Sequence, residues 1–156
     1  VKIGLISVGT KMPRWVQDGT AEYEKRISTE LGFKLIEVPL AKRSKTQSLI
    51  QCIEKEGDAI LSRLNSDDFV VSLDVLGQSL DTPALAKKIG DIRFDGRNLN
   101  LLVGGPDGLS ERCQFRANES WSLSALTLPH PLVRVLICEQ LYRAACILKG
   151  HPYHRE

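Results

Sequence analysis

The chain has 156 residues, 42% apolar and 26% charged, proportions that fit one ordinary folded domain spanning 1–156 and exclude a disordered polar chain. Twenty-one lysines and arginines against nineteen acids leave a net charge of +2. That is too small to mark a nucleic-acid binder by bulk charge, although a local basic patch stays open.

The first strand is expected over residues 2–8, which are β-branched and apolar. A helix follows over residues 14–31, where Tyr23, Ile27 and Leu31 recur at i+4. Residues 33–39 read as a second strand, stopped by Pro39. "AKRSKTQ", residues 41–47, is a basic loop, and its plain reading is solvated surface. Residues 48–64 form an amphipathic helix with Leu49, Ile50, Ile53, Ile60, Leu61 and Leu64 on one face. Residues 69–74 read as a third, central strand.

In "LDTPALAKKI" Thr82 is the expected N-cap, with Pro83 in the first turn of a helix. Residues 99–103 make a fourth strand, which runs into "GGPDGLS". A short helix is expected over 109–118 and a fifth strand over 122–128, where alternating Ser120, Ser122 and Ser124 suggest one polar face. "PHP" then breaks the chain before a last helix over 132–149. No repeat or low-complexity segment is present.

Strands that alternate with helices imply an α/β fold, a mostly parallel sheet with helices on both faces. Ligands of such sheets sit at the carboxyl ends of the strands. Those ends are residues 73–74, 103–105 and 127–128. The last helix carries apolar residues on almost every side, from Val133 to Leu148. Either it is sunk in one large core, or part of it packs on a second subunit about a two-fold axis. Arg134, Glu139 and Arg143 interrupt it, so it is not a membrane span.

Several chemistries find no support. The loop "GGPDGLS" lacks the lysine of a phosphate loop, and G-x-G-x-x-G is absent. For Gly104, Gly105 and Gly108 two readings stay open, a turn that needs positive φ or a grip on a ligand. There is no G-x-S-x-G elbow. Cys52, Cys113, Cys138 and Cys146 form no C-x-x-C pair, and His151 with His154 makes a poor metal site, so no metal is expected. Scattered cysteines without an export signal fit a reducing cytoplasm.

The tail is richer. In "GHPYHRE" Pro152 fixes a bend, Tyr153 offers a stacking ring, and His154 and Arg155 offer donors. Tyrosine and arginine stack on and clamp nucleobases. Glu139 and Arg143 are an i, i+4 pair. Arg134 stands near a helix start, where the helix dipole disfavours a cation. It is therefore a candidate for an anionic or carbonyl-bearing ligand.

Three segments in this order, "LLVGGPDGLS", "LSALTLPHPLVRVLICEQLYRA" and "HPYHRE", resemble the bacterial 23S rRNA (pseudouridine-N3)-methyltransferases, a small branch of the SPOUT methyltransferases. "VGTKMPRWVQDGTAEYEKR" near the start fits as well, so the resemblance covers essentially the whole chain. It implies a C-terminal trefoil knot, which no periodicity reveals. It implies S-adenosylmethionine held by Leu73, by Gly104 and Gly105, and by Leu123, Ser124, Ala125, Leu126, Thr127 and Leu128. It also implies a homodimer and a pseudouridine substrate in the helix 69 loop of 23S rRNA, methylated at N3 in the assembled ribosome, with no DNA or membrane partner. Tyr153, His154 and Arg155, with Arg134 or Arg143, are then the catalytic candidates. A non-catalytic ribosome-associated factor and a methyltransferase for another uridine remain alternatives.

Overall fold

The computed structural model describes residues 1–150 and Tyr153. Five strands form one sheet in the order β2-β1-β4-β3-β5. Every pairing is parallel. The strands are β1 (Ile3–Val8), β2 (Lys34–Val38), β3 (Phe69–Ser79), β4 (Leu99–Val103) and β5 (Glu119–Ser122). The helices are α1 (Arg14–Leu31), α2 (Leu49–Leu61), α3 (Thr82–Phe94), α4 (Glu111–Arg116) and α5 (His130–Lys149).

β1 and β4 lie side by side and are buried along their whole length, because helices cover both faces. On one face α5 packs between α1 and α3 over Leu5, Val71, Leu101 and Trp121. On the other, α2 and α4 cover Ile6, Val8, Val70 and Leu102. Trp121 is fully buried, and its indole N–H finds an acceptor in Glu119 Oε1 at 2.8 Å, as a buried indole requires. The burial of α5 on three sides accounts within one chain for much of its all-round apolar character. Leu132 and Leu148 still face outward. Among the described residues no helix is long and apolar enough to cross a membrane. All four cysteines are free and buried.

Several expected boundaries are corrected. Asp81, not Thr82, caps α3: its carboxylate accepts the Ala84 N–H at 2.9 Å. Thr82 is already helical, and its hydroxyl donates to Gln140 on α5 at 2.8 Å. The buried face of α2 runs through Cys52, Glu56, Gly57 and Ile60, leaving Leu49 and Ile50 exposed. Ser48 caps this helix with Gln51 returning the bond, a closed capping box.

β3 continues to Ser79, five residues beyond its expected end, past a register shift between Leu73 and Gln78. The expected strand at 122–128 is instead a short β5 and a loop. The serines end the ladder: Ser122 Oγ donates to the Ser124 carbonyl at 2.9 Å, and Ser124 Oγ accepts the Leu126 N–H at 2.9 Å. Such local side-chain bonds turn the backbone away from sheet pairing. "PHP" starts α5 rather than separating it, with Pro129 at the N-cap and Pro131 in the first turn. α4 is shorter than expected and is capped by Ser110.

Candidate functional site

At the carboxyl end of β4, beside the register break of β3, lies a cavity of about 560 Å³, a usual size for a small-molecule site. β3 supplies Leu73, Asp74 and Val75, where its register breaks. The turn after β4 supplies Gly104, Gly105, Pro106 and Gly108. The loop after β5 supplies Leu123, Ser124, Leu126, Thr127 and Leu128, and α5 closes the wall with His130 and Val133. Three sequence-distant segments thus meet in one mostly apolar hollow.

The glycine turn is shaped by two different constraints. A Cβ on Gly104 would stand 2.6 Å from the carbonyl carbon of Gly108 and 2.8 Å from the nitrogen of Leu109. The turn is folded so tightly on itself that no side chain fits there. Gly108 has open space but φ +84°, a backbone that L residues rarely adopt. The Gly108 N–H donates to the Gly105 carbonyl at 3.1 Å and closes the turn. Gly104 and Gly105 have negative φ, so the expectation of positive φ holds for Gly108 alone of the three.

Of the residues proposed from sequence for the cofactor, Leu73, Gly104, Gly105, Leu123, Ser124, Leu126, Thr127 and Leu128 line the cavity. Ala125 is exposed and stands outside the lining. Sequence reasoning placed Asp74 at a ligand-binding strand end without giving it a role, and did not single out Val75, Pro106 or His130. Asp74 Oδ1 accepts the Leu76 N–H at 2.9 Å, within the stretch of β3 where the register shifts. His130 Nδ1 is buried without a partner among the described residues. Burial, and then the Arg134 charge nearby, push the pKa of His130 below its ordinary value, so the ring is neutral at pH 7. The one signal in the sequence was its place between two prolines at the mouth of the last helix.

Arg134 is 1% exposed and outside this lining. It donates to Glu37 Oε2 at 2.6 Å, to Ser7 Oγ at 3.0 Å and to the Gly9 carbonyl at 3.0 Å. Glu37 and these oxygens offset the unfavourable helix dipole, so the cation ties α5 to the ends of β1 and β2. It also borders a small polar pocket of about 210 Å³ with Thr10, Gln17, Glu24 and Glu37.

Arg143 and Tyr153 form a second cluster. Arg143 donates to Glu139 Oε1 from Nε at 2.9 Å and from a terminal nitrogen at 2.5 Å. Its guanidinium lies 5.0 Å from the centre of the Tyr153 ring, which meets Tyr142 edge-on at 4.5 Å. The hydrogen bond to Glu139 raises the Arg143 pKa, and burial raises that of Tyr153, so one is cationic and the other neutral at pH 7. Helix rise puts Arg143 about 20 Å along α5 from His130. The cavity and the tyrosine–arginine cluster therefore sit at separate places on one chain. His154 and Arg155 lie outside the described residues. Among the described residues no three His, Cys, Asp or Glu side chains gather as a metal site.

The family model "Predicted SPOUT methyltransferase" matches residues 1–154. A Ribosomal RNA large subunit methyltransferase H from Saccharophagus degradans is 57% identical over 155 residues, 99% of this chain and 100% of the relative. Proteins of the same name from Hahella chejuensis and a Marinomonas species are 53% and 48% identical, covering 100% and 99% of this chain and 100% of each relative. Among solved structures, a tRNA (m1G37) methyltransferase from Aquifex aeolicus superposes with a TM-score of 0.59 at 12% identity, over 100% of this chain and 76% of that one. At that identity the likeness speaks for the fold alone.

Proposed function

Because the chain belongs to the SPOUT methyltransferase family, we propose that it transfers a methyl group from S-adenosylmethionine to N3 of a pseudouridine in the helix 69 loop of 23S rRNA, on the assembled ribosome in the cytoplasm. The observation that carries this reading is the meeting of the three segments around one cavity. The curated relatives, whose names say ribosomal RNA large subunit methyltransferase, support the substrate class.

The cavity fits a bent nucleoside-amino acid. Its volume suffices, its walls are largely apolar, and the turn 104–108, folded on itself at Gly104, brings backbone polar groups to the cavity wall. Gly104, Gly105 and the loop 123–128 would hold S-adenosylmethionine, with Leu73 against it; Ala125 would serve by backbone only. Ser124, Thr127 and the Asp74 carboxylate are the polar groups in reach of its hydroxyl and amino functions. The cofactor supplies an activated methyl on a sulfonium, so no metal is called for. The trefoil knot implied by the resemblance is part of this proposal, since it would hold the glycine turn and the loop 123–128 together.

The chain's own task is then to present N3 in line and to manage its proton. In-line placement is worth several kcal/mol of barrier. Tyr153 would stack on the base after it leaves the RNA stack. Arg143, with Arg155, would stabilise negative charge that develops on N3 and its two flanking carbonyls. His154 would accept the N3 proton or bind a phosphate. Arg134 would act indirectly, by fixing the start of α5.

The distance between the cavity and the Arg143–Tyr153 cluster supports a homodimer in which each tail completes the partner's cavity. Trp15 and Leu132, exposed in the first turns of α1 and α5, supply apolar surface for such a contact. The modest charge suits docking in a preformed ribosomal cleft more than free RNA capture. Methyl transfer from labelled S-adenosylmethionine to ribosomes that lack the mark, with naked 23S rRNA alongside, tests the reading. Incorporation into neither RNA would refute it.

A further inference from the structure

Within the turn 104–108, Asp107 is the only residue with a polar side chain; the others are three glycines and a proline. Such a turn has many backbone states to lose, so its shape depends on what Asp107 is fastened to. It is fastened to the basic loop. Arg43 donates to Asp107 Oδ2 from Nε at 3.3 Å and from a terminal nitrogen at 2.8 Å.

The same guanidinium reaches the other way. It is paired with Glu56 Oε2 and donates to the Ala41 carbonyl at 2.7 Å. Glu56 stands on the inner face of α2 with 3% of its surface exposed. Its Oε2 also accepts the Ala41 N–H at 3.0 Å. Its Oε1 is buried without a partner among the described residues and would lie 3.6 Å from a Cβ on Gly105. So the acid backs directly onto the glycine turn. A buried carboxylate with one oxygen unbonded costs stability, and a purely structural site would more simply hold an apolar residue. Arg43 is thus a half-buried link between two carboxylates, while Lys42 and Lys45 beside it are exposed.

We propose that Arg43 is a positioning residue for the methyl donor: through Asp107 it fastens the glycine turn to the buried Glu56 of α2 and holds the mouth of the cavity in its receptive shape. This rests on the reading that the cavity takes S-adenosylmethionine. Pre-organisation of this kind acts on binding, because an unfastened turn must be ordered by the ligand itself. The turn touches no part of the target base in this account, so the chemical step is spared.

Asp107→Ala is the cleanest probe, since it unfastens the turn and leaves the Arg43–Glu56 pair in place. Calorimetric titration of the full chain with S-adenosylmethionine is expected to show affinity about tenfold weaker, and kinetics a matching rise in KM with kcat changed less than about twofold. Arg43→Lys offers a single ammonium where a fork is needed and should retain only part of the affinity. Lys45→Ala should bind the cofactor like the unaltered chain. An Asp107→Ala chain with unchanged affinity, or with only a lowered melting temperature, overturns the clamp and leaves the cofactor assignment standing. An unaltered chain without affinity for S-adenosylmethionine overturns the assignment itself.

Discussion

The guanidinium of Arg143 faces the ring of Tyr153 at 5.0 Å, and both side chains converge on Glu139 Oε1. The pairing gathers the described part of the tail on the middle of α5, well away from the cavity at the helix start. If each tail serves the partner's cavity, two differently damaged chains should repair one another. Gly104→Val, which forces open the turn that lines the cavity, and Arg143→Ala, which damages the cluster, are each expected to be inactive alone. An equimolar mixture of the two should regain about a quarter of full activity, since half the dimers are mixed and each of these has one intact site of two. No recovery in verified mixed dimers would place the whole site on one chain.

The two glycines of the turn should respond differently. Gly104→Ala sets a Cβ against backbone atoms at 2.6 and 2.8 Å, which no rotamer relieves. A loss of about 1–3 kcal/mol in urea unfolding is expected, together with loss of cofactor affinity. Gly108→Ala meets open space and carries only the strain of its positive φ, about 1 kcal/mol. Equal effects from the two would contradict the close-approach account.

Much of the fold was legible because helix and strand periods are local properties. β1, β4 and α1 stood out by their apolar runs and i+4 stacking, and the cavity's place followed from the parallel sheet. What was missed depended on contacts from afar or on bonds that compete with the ladder. The serines of 120–124 alternate like a strand, yet their hydroxyls bend the chain into a loop. Leu49 and Ile50 fit the helical stripe of α2, but among the described residues no element covers its first turn, so they stay exposed. Arg134 looked like a ligand-seeking cation because Glu37, Ser7 and Gly9 are more than a hundred residues away in sequence or nearly so. His130 offered only its place between two prolines, because a lone histidine becomes notable through its burial.

His130 makes stability depend on pH. Its folded pKa is below the ordinary 6.5, so the unfolded chain binds the proton more readily. The stability it contributes is present above about pH 6.5 and is lost as pH falls through the folded pKa. Melting temperature should therefore decline below that pH, and His130→Gln should flatten this part of the decline. Direct titration of the ring by NMR should give a value below 6.5; a value above it would remove the basis for the effect.

Arg134→Met should act through the fold. It removes a buried cation and leaves the Ser7 hydroxyl and the Gly9 carbonyl without their donor, at a cost of roughly 2–3 kcal/mol in unfolding free energy. Activity per folded molecule should fall far less than with Arg143→Ala, which touches the tail cluster. The reverse order would assign the direct role to Arg134.

The central claim is the reaction and its target, and the most direct test is mass mapping of 23S rRNA from cells with and without this protein. Loss of a single methyl group, at N3 of a pseudouridine in the helix 69 loop, and its return on re-expression of the chain, is the result this account predicts. An unchanged map, or a methyl lost from another nucleotide, would contradict it.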